Sequence, residues 1–121
     1  MLKVEKRPNG DALVVHLEGE LDSSTADELR AALAADCDDD VVIVDLRDVP
    51  FMDSAGLGAL IGGIRRFRVE GTSTALCVRR GAVQRLLVAT GFDRIVPLFG
   101  SVDEARESLG AQTEPPEAAS A

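Results

Sequence analysis

Positive charge is what this 121-residue chain is short of: it has 13 Lys and Arg against 21 Asp and Glu, a formal charge of −8. Nucleic-acid binders track phosphates with a basic stripe, and anionic membrane surfaces attract basic proteins, so both partners are disfavoured. No charged start followed by an apolar stretch is present, and no run of 18 apolar residues occurs. Neither a signal peptide nor a transmembrane helix is therefore expected. Cysteine is scarce too. Cys37 and Cys77 lie 40 positions apart with no C-x-x-C and no histidine cluster. Two buried thiols in a reducing cytoplasm are expected, in preference to a disulfide or a zinc site. Only one histidine exists, His16, and its strand context predicts a partly exposed position.

What is present is enough for one core. The chain is 45% apolar, too much for wholesale disorder, and its length suits one domain. From residue 111 the composition turns to Glu, Pro, Ala and Ser, which predicts a domain over 1–110 and a disordered tail over 111–121. The charge is uneven. Residues 1–60 carry 14 acids and 5 bases, net −9, while residues 61–121 carry 7 acids and 8 bases, net +1. Solvated loop ends account for such an excess, unless the acids gather on one face, where a basic partner becomes the better explanation.

Residues 2–7 and 12–18 flank Pro8-Asn9-Gly10-Asp11 and read as a hairpin with an Asn-Gly turn. Leu13, Val15 and Leu17 fall on one face of the second strand, and Val14, His16 and Glu18 on the other. Ser23, Ser24 and Thr25 offer helix caps, with Thr25–Glu28 or Ser24–Asp27 as capping boxes, before an amphipathic stretch to residue 35. The acidic run Asp36, Asp38, Asp39, Asp40 then makes a loop. The β-branched run 41–46 predicts a central strand covered on both faces. After a Pro50-containing connection, Leu57, Leu60, Ile61, Ile64 and Phe67 form one helical stripe starting at Asp53 or Ser54. Strand 74–78, helix 82–89, strand 95–99 and a helix from Ser101 to about 109 complete a ββαβαβαβα order. The prediction is a single α/β domain with a mixed β-sheet, an opening hairpin and packed helices.

Few residues offer catalytic chemistry. A Ser-His-Asp triad around Ser54 would have to recruit His16 from a distant strand, and the G-x-S-x-G elbow is absent. Gly56, Gly58 and Gly62 resemble a variant dinucleotide fingerprint, but they lie inside the predicted helix, where close packing explains them better. No G-K-[ST] follows, so a P-loop is excluded. Ser54 itself has two readings. Asp53-Ser54 makes a good N-cap pair. Equally, a hydroxyl at a helix start with small neighbours suits phosphorylation, because the unpaired N–H groups and the dipole tolerate a phosphate there.

Gly19-Glu20-Leu21-Asp22, then Val41-…-Asp45-Leu46, then Phe51-Met52-Asp53-Ser54-Ala55-Gly56-Leu57-Gly58-Ala59-Leu60 resemble the STAS domain of bacterial anti-sigma factor antagonists. The resemblance extends over residues 3–109. It implies a cytoplasmic, non-enzymatic regulator with no catalytic residue, metal or cofactor of its own. In that scheme the unphosphorylated protein binds an anti-sigma factor that is a serine kinase, and so frees a sigma factor. The kinase, bringing ATP and magnesium, then phosphorylates Ser54 and releases the antagonist, and a serine phosphatase resets it. Carried over by motif, Asp22 and Ser23 belong to the partner surface, with Asp53, Gly56, Leu57 and Gly58 around Ser54. One departure is Ala55, where many relatives have a second hydroxyl, which leaves Ser54 as the single hydroxyl of the motif. An unphosphorylated scaffold or lipid-transport-complex subunit of the same fold is the alternative, and a nucleotide-binding protein a more distant one. Anion transporters fit poorly with a chain lacking membrane spans.

Overall fold

The computed structural model describes residues 1–34 and 40–112. Strand β1 (Lys3–Asn9) pairs antiparallel with β2 (Ala12–Glu18). Asn9 stands opposite Ala12, so the turn consists of Gly10 and Asp11, and Gly10 has φ 61°. The expected turn at Asn9-Gly10 is thus displaced by one residue. Asn9 keeps its place in the ladder, and its carbonyl accepts from Arg106 Nε at 3.0 Å. β1 is an edge strand, and its Lys3, Glu5, Lys6 and Arg7 are exposed. Charges along such an edge oppose pairing with another chain.

β3 (Val41–Asp48), β4 (Ser73–Cys77) and β5 (Leu98–Phe99) continue the sheet in parallel, in the spatial order β1-β2-β3-β4-β5. Every residue from Val41 to Leu46 is buried, as expected of a central strand covered on both faces. Helices α1 (Ala26–Ala34), α2 (Ser54–Val69) and α3 (Ala82–Ala89) cover one face. There Leu29, Leu33, Leu60, Ile64, Phe67 and Leu87 pack on Val15, Leu17, Val42, Val44 and Leu76. α4 (Val102–Gln112) lies on the other face, where Ala105 and Leu109 meet Ala12, Val14, Val41, Ile43, Ala75 and Cys77.

Glycine sets how closely α2 approaches its neighbours. A Cβ on Gly63 would collide with the Leu33 side chain of α1, and one on Gly56 with the Leu21 carbonyl, whereas Gly58 and Gly62 face open space. Close packing, expected for Gly56, Gly58 and Gly62, holds for Gly56 alone of the three, and Gly63 makes the second close approach.

Two local expectations differ from the structure. Neither capping box at α1 forms. Thr25 is buried, and its hydroxyl donates to the Glu20 carbonyl at 2.8 Å and accepts from Asp22 N at 3.0 Å, while Glu28 accepts from Leu2 N at 2.9 Å. Tertiary and loop bonds have taken the groups that a local cap would use. The last strand is also shorter than 95–99. Residues Phe92–Arg94 form a 3-10 turn, and pairing starts at the Pro97 carbonyl, which accepts from Leu76 N. Pro97 has no N–H to give to a ladder. The expected box at Ser101 is half present, since Ser101 Oγ accepts from Glu104 N at 3.1 Å. α4 runs to Gln112, two residues beyond the boundary expected at 110. Residues 113–121, Cys37 and the acidic run, apart from exposed Asp40, lie outside the described residues.

Candidate switch surface

The segment after β2 and the segment after β3 are laced together by backbone bonds. Leu21 N donates to the Phe51 carbonyl and Asp53 N to the Leu21 carbonyl, each at 3.0 Å, around a parallel bridge between Leu21 and Met52. Leu21 and Met52 are buried, so this join is anchored by apolar contact as well as by hydrogen bonds. Its consequence is that residues 31 positions apart in sequence, Asp22 with Ser23 and Asp53 with Ser54, come to one end of the sheet.

Asp53 is the N-cap of α2. Its extended backbone (φ −107°, ψ −172°) turns the chain, and Oδ1 accepts from Ala55 N at 2.9 Å and Gly56 N at 3.0 Å. Ser54 is the first helical residue, and it is exposed. The N-cap reading therefore belongs to Asp53 alone, and the Ser54 side chain is left on the surface at the positive end of a 16-residue helix.

Asp22 is fixed by its own loop. Its Oδ1 accepts from Ser24 Oγ at 2.6 Å and from Ser24 N at 2.9 Å. The Ser24 hydroxyl, with the backbone N–H groups of Ser24 and Thr25, holds this carboxyl below the usual carboxylate range. Ser23 is exposed beside it. Of the other residues assigned to the partner surface, Leu57 is half-buried and Gly58 exposed, but Gly56 is buried against Leu21. Gly56 is thus a close-approach residue under the surface, and its assignment as a direct contact is corrected.

Two features escaped the sequence reading. Phe51, read as part of a connection and of the motif but given no role, is 46% exposed. On the α4 side of the sheet, His16 stands in register with Asp45. Its Nδ1 lies 3.0 Å from Asp45 Oδ2 and its Nε2 3.0 Å from Asp48 Oδ2. Arg47 donates to Asp45 through Nε and Nη2, both at 2.9 Å, and through its backbone N at 3.1 Å. Asp45 is 0% exposed. Burial pushes its carboxyl up, but the Arg47 and His16 donors outweigh this and hold it at about 2. The available signal was period-2 alternation, since Val41, Ile43 and Asp45 share one face with Ala12, Val14 and His16. His16 is partly exposed, as expected, and Cys77 is buried, its thiol pushed up to about 12 chiefly by burial. Among the described residues, no group of His, Cys, Asp and Glu is arranged to hold a metal, and no helix is long and apolar enough to cross a membrane.

A mixed five-stranded sheet carrying a helix-start Asp-Ser beside a G-E-L-D loop is the arrangement of a STAS domain. The STAS family model matches residues 3–105, and the chain belongs to that family. Among curated relatives, the anti-sigma F factor antagonist of Paenibacillus polymyxa is 32% identical over 113 residues, covering 89% of this chain and 95% of the relative. The crystal structure of an anti-sigma factor antagonist from Mycobacterium paratuberculosis superposes with a TM-score of 0.83 at 26% identity, covering 89% of this chain and 93% of that one. The Bacillus cell fate determinant SpoIIAA in its phosphorylated form shares the fold, with a TM-score of 0.66 at 20% identity, covering 90% and 99%.

Proposed function

We propose that this protein is an anti-sigma factor antagonist switched by phosphorylation of Ser54. The unphosphorylated form binds an anti-sigma factor that is a serine kinase and thereby frees a sigma factor. The kinase supplies ATP and magnesium, transfers the γ-phosphoryl group to the Ser54 hydroxyl and releases the antagonist, and a serine phosphatase restores it. The protein itself works as a binding module in the cytoplasm and catalyses nothing. Asp22, Ser23, Asp53, Leu57 and Gly58 form the contact surface around Ser54.

One observation carries this reading: Asp53 takes the whole N-cap role, so the Ser54 hydroxyl is exposed at the helix start and free of structural duty. The fold can accept a phosphate there, because it gains about 1.5–2 negative charges next to helix N–H groups. A partner cannot accept it as easily. Beside Asp22 and Asp53 the new charge creates like-charge repulsion at the contact. Two or three kcal/mol of it weakens binding about 30- to 150-fold.

The test is to incubate the protein with the serine-kinase anti-sigma factors of its source organism and ATP, and to map the added mass by digestion. Phosphate on Ser54 is the expected result, with Ser54→Ala still binding the kinase and Ser54→Asp binding it more weakly. Modification at another residue, or equal affinities for the two variants, would remove this reading.

A further inference from the structure

We infer that Phe51 is the apolar anchor of the surface that carries Ser54, and that it fills a pocket with a basic rim on the anti-sigma factor. This rests on the proposed function and adds a contact that the motif did not assign. Among the exposed large apolar residues of the described chain, Met1, Val4, Phe51, Val69, Val88 and Ile95, Phe51 is the only aromatic. Two other phenylalanines, Phe67 and Phe92, are buried in the core. A half-exposed aromatic ring costs solvation free energy in the unbound protein, and rings of this kind are enriched among the few residues that dominate an interface.

Its setting is that of a pre-positioned anchor. Pro50 restricts the backbone before it, and Met52 after it is buried. The Phe51 carbonyl is held by Leu21 N. Met52 is buried at its bridge to Leu21 while Phe51 beside it is 46% exposed, so the ring is on the outer side of this join. A side chain held on a fixed backbone loses less freedom on binding than one on a mobile loop. The same backbone bonds make Phe51 continuous with the switch surface. It lies three residues before Ser54, and its carbonyl accepts from the N–H of Leu21, the chain neighbour of Asp22.

Charge indicates what covers it. Glu20 is exposed, and Asp22 and Asp53 half-buried, on the segments that flank Phe51, whereas exposed Asp48 is already paired with His16 and Arg79. A partner that seats the ring must meet these carboxylates, which favours Lys or Arg around the pocket, and such cations also gain from the face of the ring. The ring itself takes no part in the switch. Phosphorylation alters charge around it, while the apolar contact contributes in both states.

The experiment measures binding of the full chain to the kinase that phosphorylates Ser54, by calorimetry, for wild type, Phe51→Ala, Phe51→Leu and Val69→Ala. Expected are a loss of about 30-fold or more for Phe51→Ala, a smaller loss for Phe51→Leu, and no change for exposed Val69→Ala. Phosphorylation of Phe51→Ala should show a raised KM with kcat retained, and its Tm should match wild type. Binding of Phe51→Ala within threefold of wild type, with Ser54 still phosphorylated, would sink the anchor and leave the switch standing. A lowered Tm for both Phe51 variants would also overturn it, by showing the ring to be structural. If wild type is neither bound nor phosphorylated by any such kinase, the proposed function fails and the anchor with it.

Discussion

The two faces of the sheet solve burial in opposite ways. Under α1, α2 and α3 the face is largely apolar, with Leu17, Val44, Leu60, Ile64 and Leu76 all fully buried. Under α4 the apolar patch is made largely of smaller residues, Ala12, Val14, Ala75 and Cys77 among them. It gives way along β2 and β3 to His16, Asp45 and Arg47. An apolar face is stabilised in proportion to the area it removes from water and is indifferent to which partner supplies that area. The charged patch costs desolvation and is tolerable only because every donor and acceptor has a place. Indeed, among the described residues no buried side-chain nitrogen or oxygen lacks a hydrogen-bond partner. The first face therefore contributes bulk stability. The second constrains register, since a slip of β2 against β3 would take His16 away from Asp45.

Removing one residue from each face makes the contrast measurable. Asp45→Ala leaves Arg47 and His16 without their shared acceptor and is expected to cost about 3–5 kcal/mol in urea unfolding. Leu60→Ala leaves a cavity and is expected to cost about 2–5 kcal/mol. If Asp45→Ala costs under about 1 kcal/mol, the ion cluster is not what holds the second face together.

Acid should separate the faces more finely. The Asp45 carboxyl is lower in the folded chain, at about 2, than its usual 3.8. Its contribution is therefore fully present above about pH 4 and is lost as pH falls through about 2. Nearly two units of depression correspond to about 2 kcal/mol. Wild type should lose that much more stability than Asp45→Asn between pH 4 and pH 2, and parallel curves would contradict the assignment.

The smallest expected effect lies at the N-terminal end of α2, on the first face. Gly58→Ala places a methyl in open space on a helix and should stabilise by about 0.5–1 kcal/mol. Gly56→Ala drives the same methyl into the Leu21 carbonyl and should destabilise by about 1–3 kcal/mol. Thermal melts of the pair decide whether Gly56 is a packing residue or a surface one. Equal Tm values would return it to the surface.

Strong local patterns were legible in advance. The β-branched run 41–46 had no local competitor and became the buried centre of the sheet. The stripe Leu57, Leu60, Ile61, Ile64 and Phe67 became the inner side of α2. Where two local groups competed, the outcome depended on distant partners. Thr25 and Glu28 matched a capping box, yet each found a stronger demand elsewhere, Thr25 at the Glu20 carbonyl and Glu28 at Leu2 N. At the candidate site, Asp53 and Ser54 were legible as a helix start. Which of them caps and which is exposed was not, because both side chains suit either task.

Composition, periodicity and motif determined that this chain folds as one mixed-sheet α/β domain and that a helix starts at Asp53-Ser54. Those are local properties, encoded by neighbours within a few positions. Tertiary structure alone decided that Leu21 is joined to Phe51 and Asp53, that Gly56 is interior, that Phe51 faces solvent and that His16 meets Asp45. Each of these depends on two segments 20 or more residues apart sharing a backbone bond or a strand register. No local pattern specifies such a pairing until the sheet has formed.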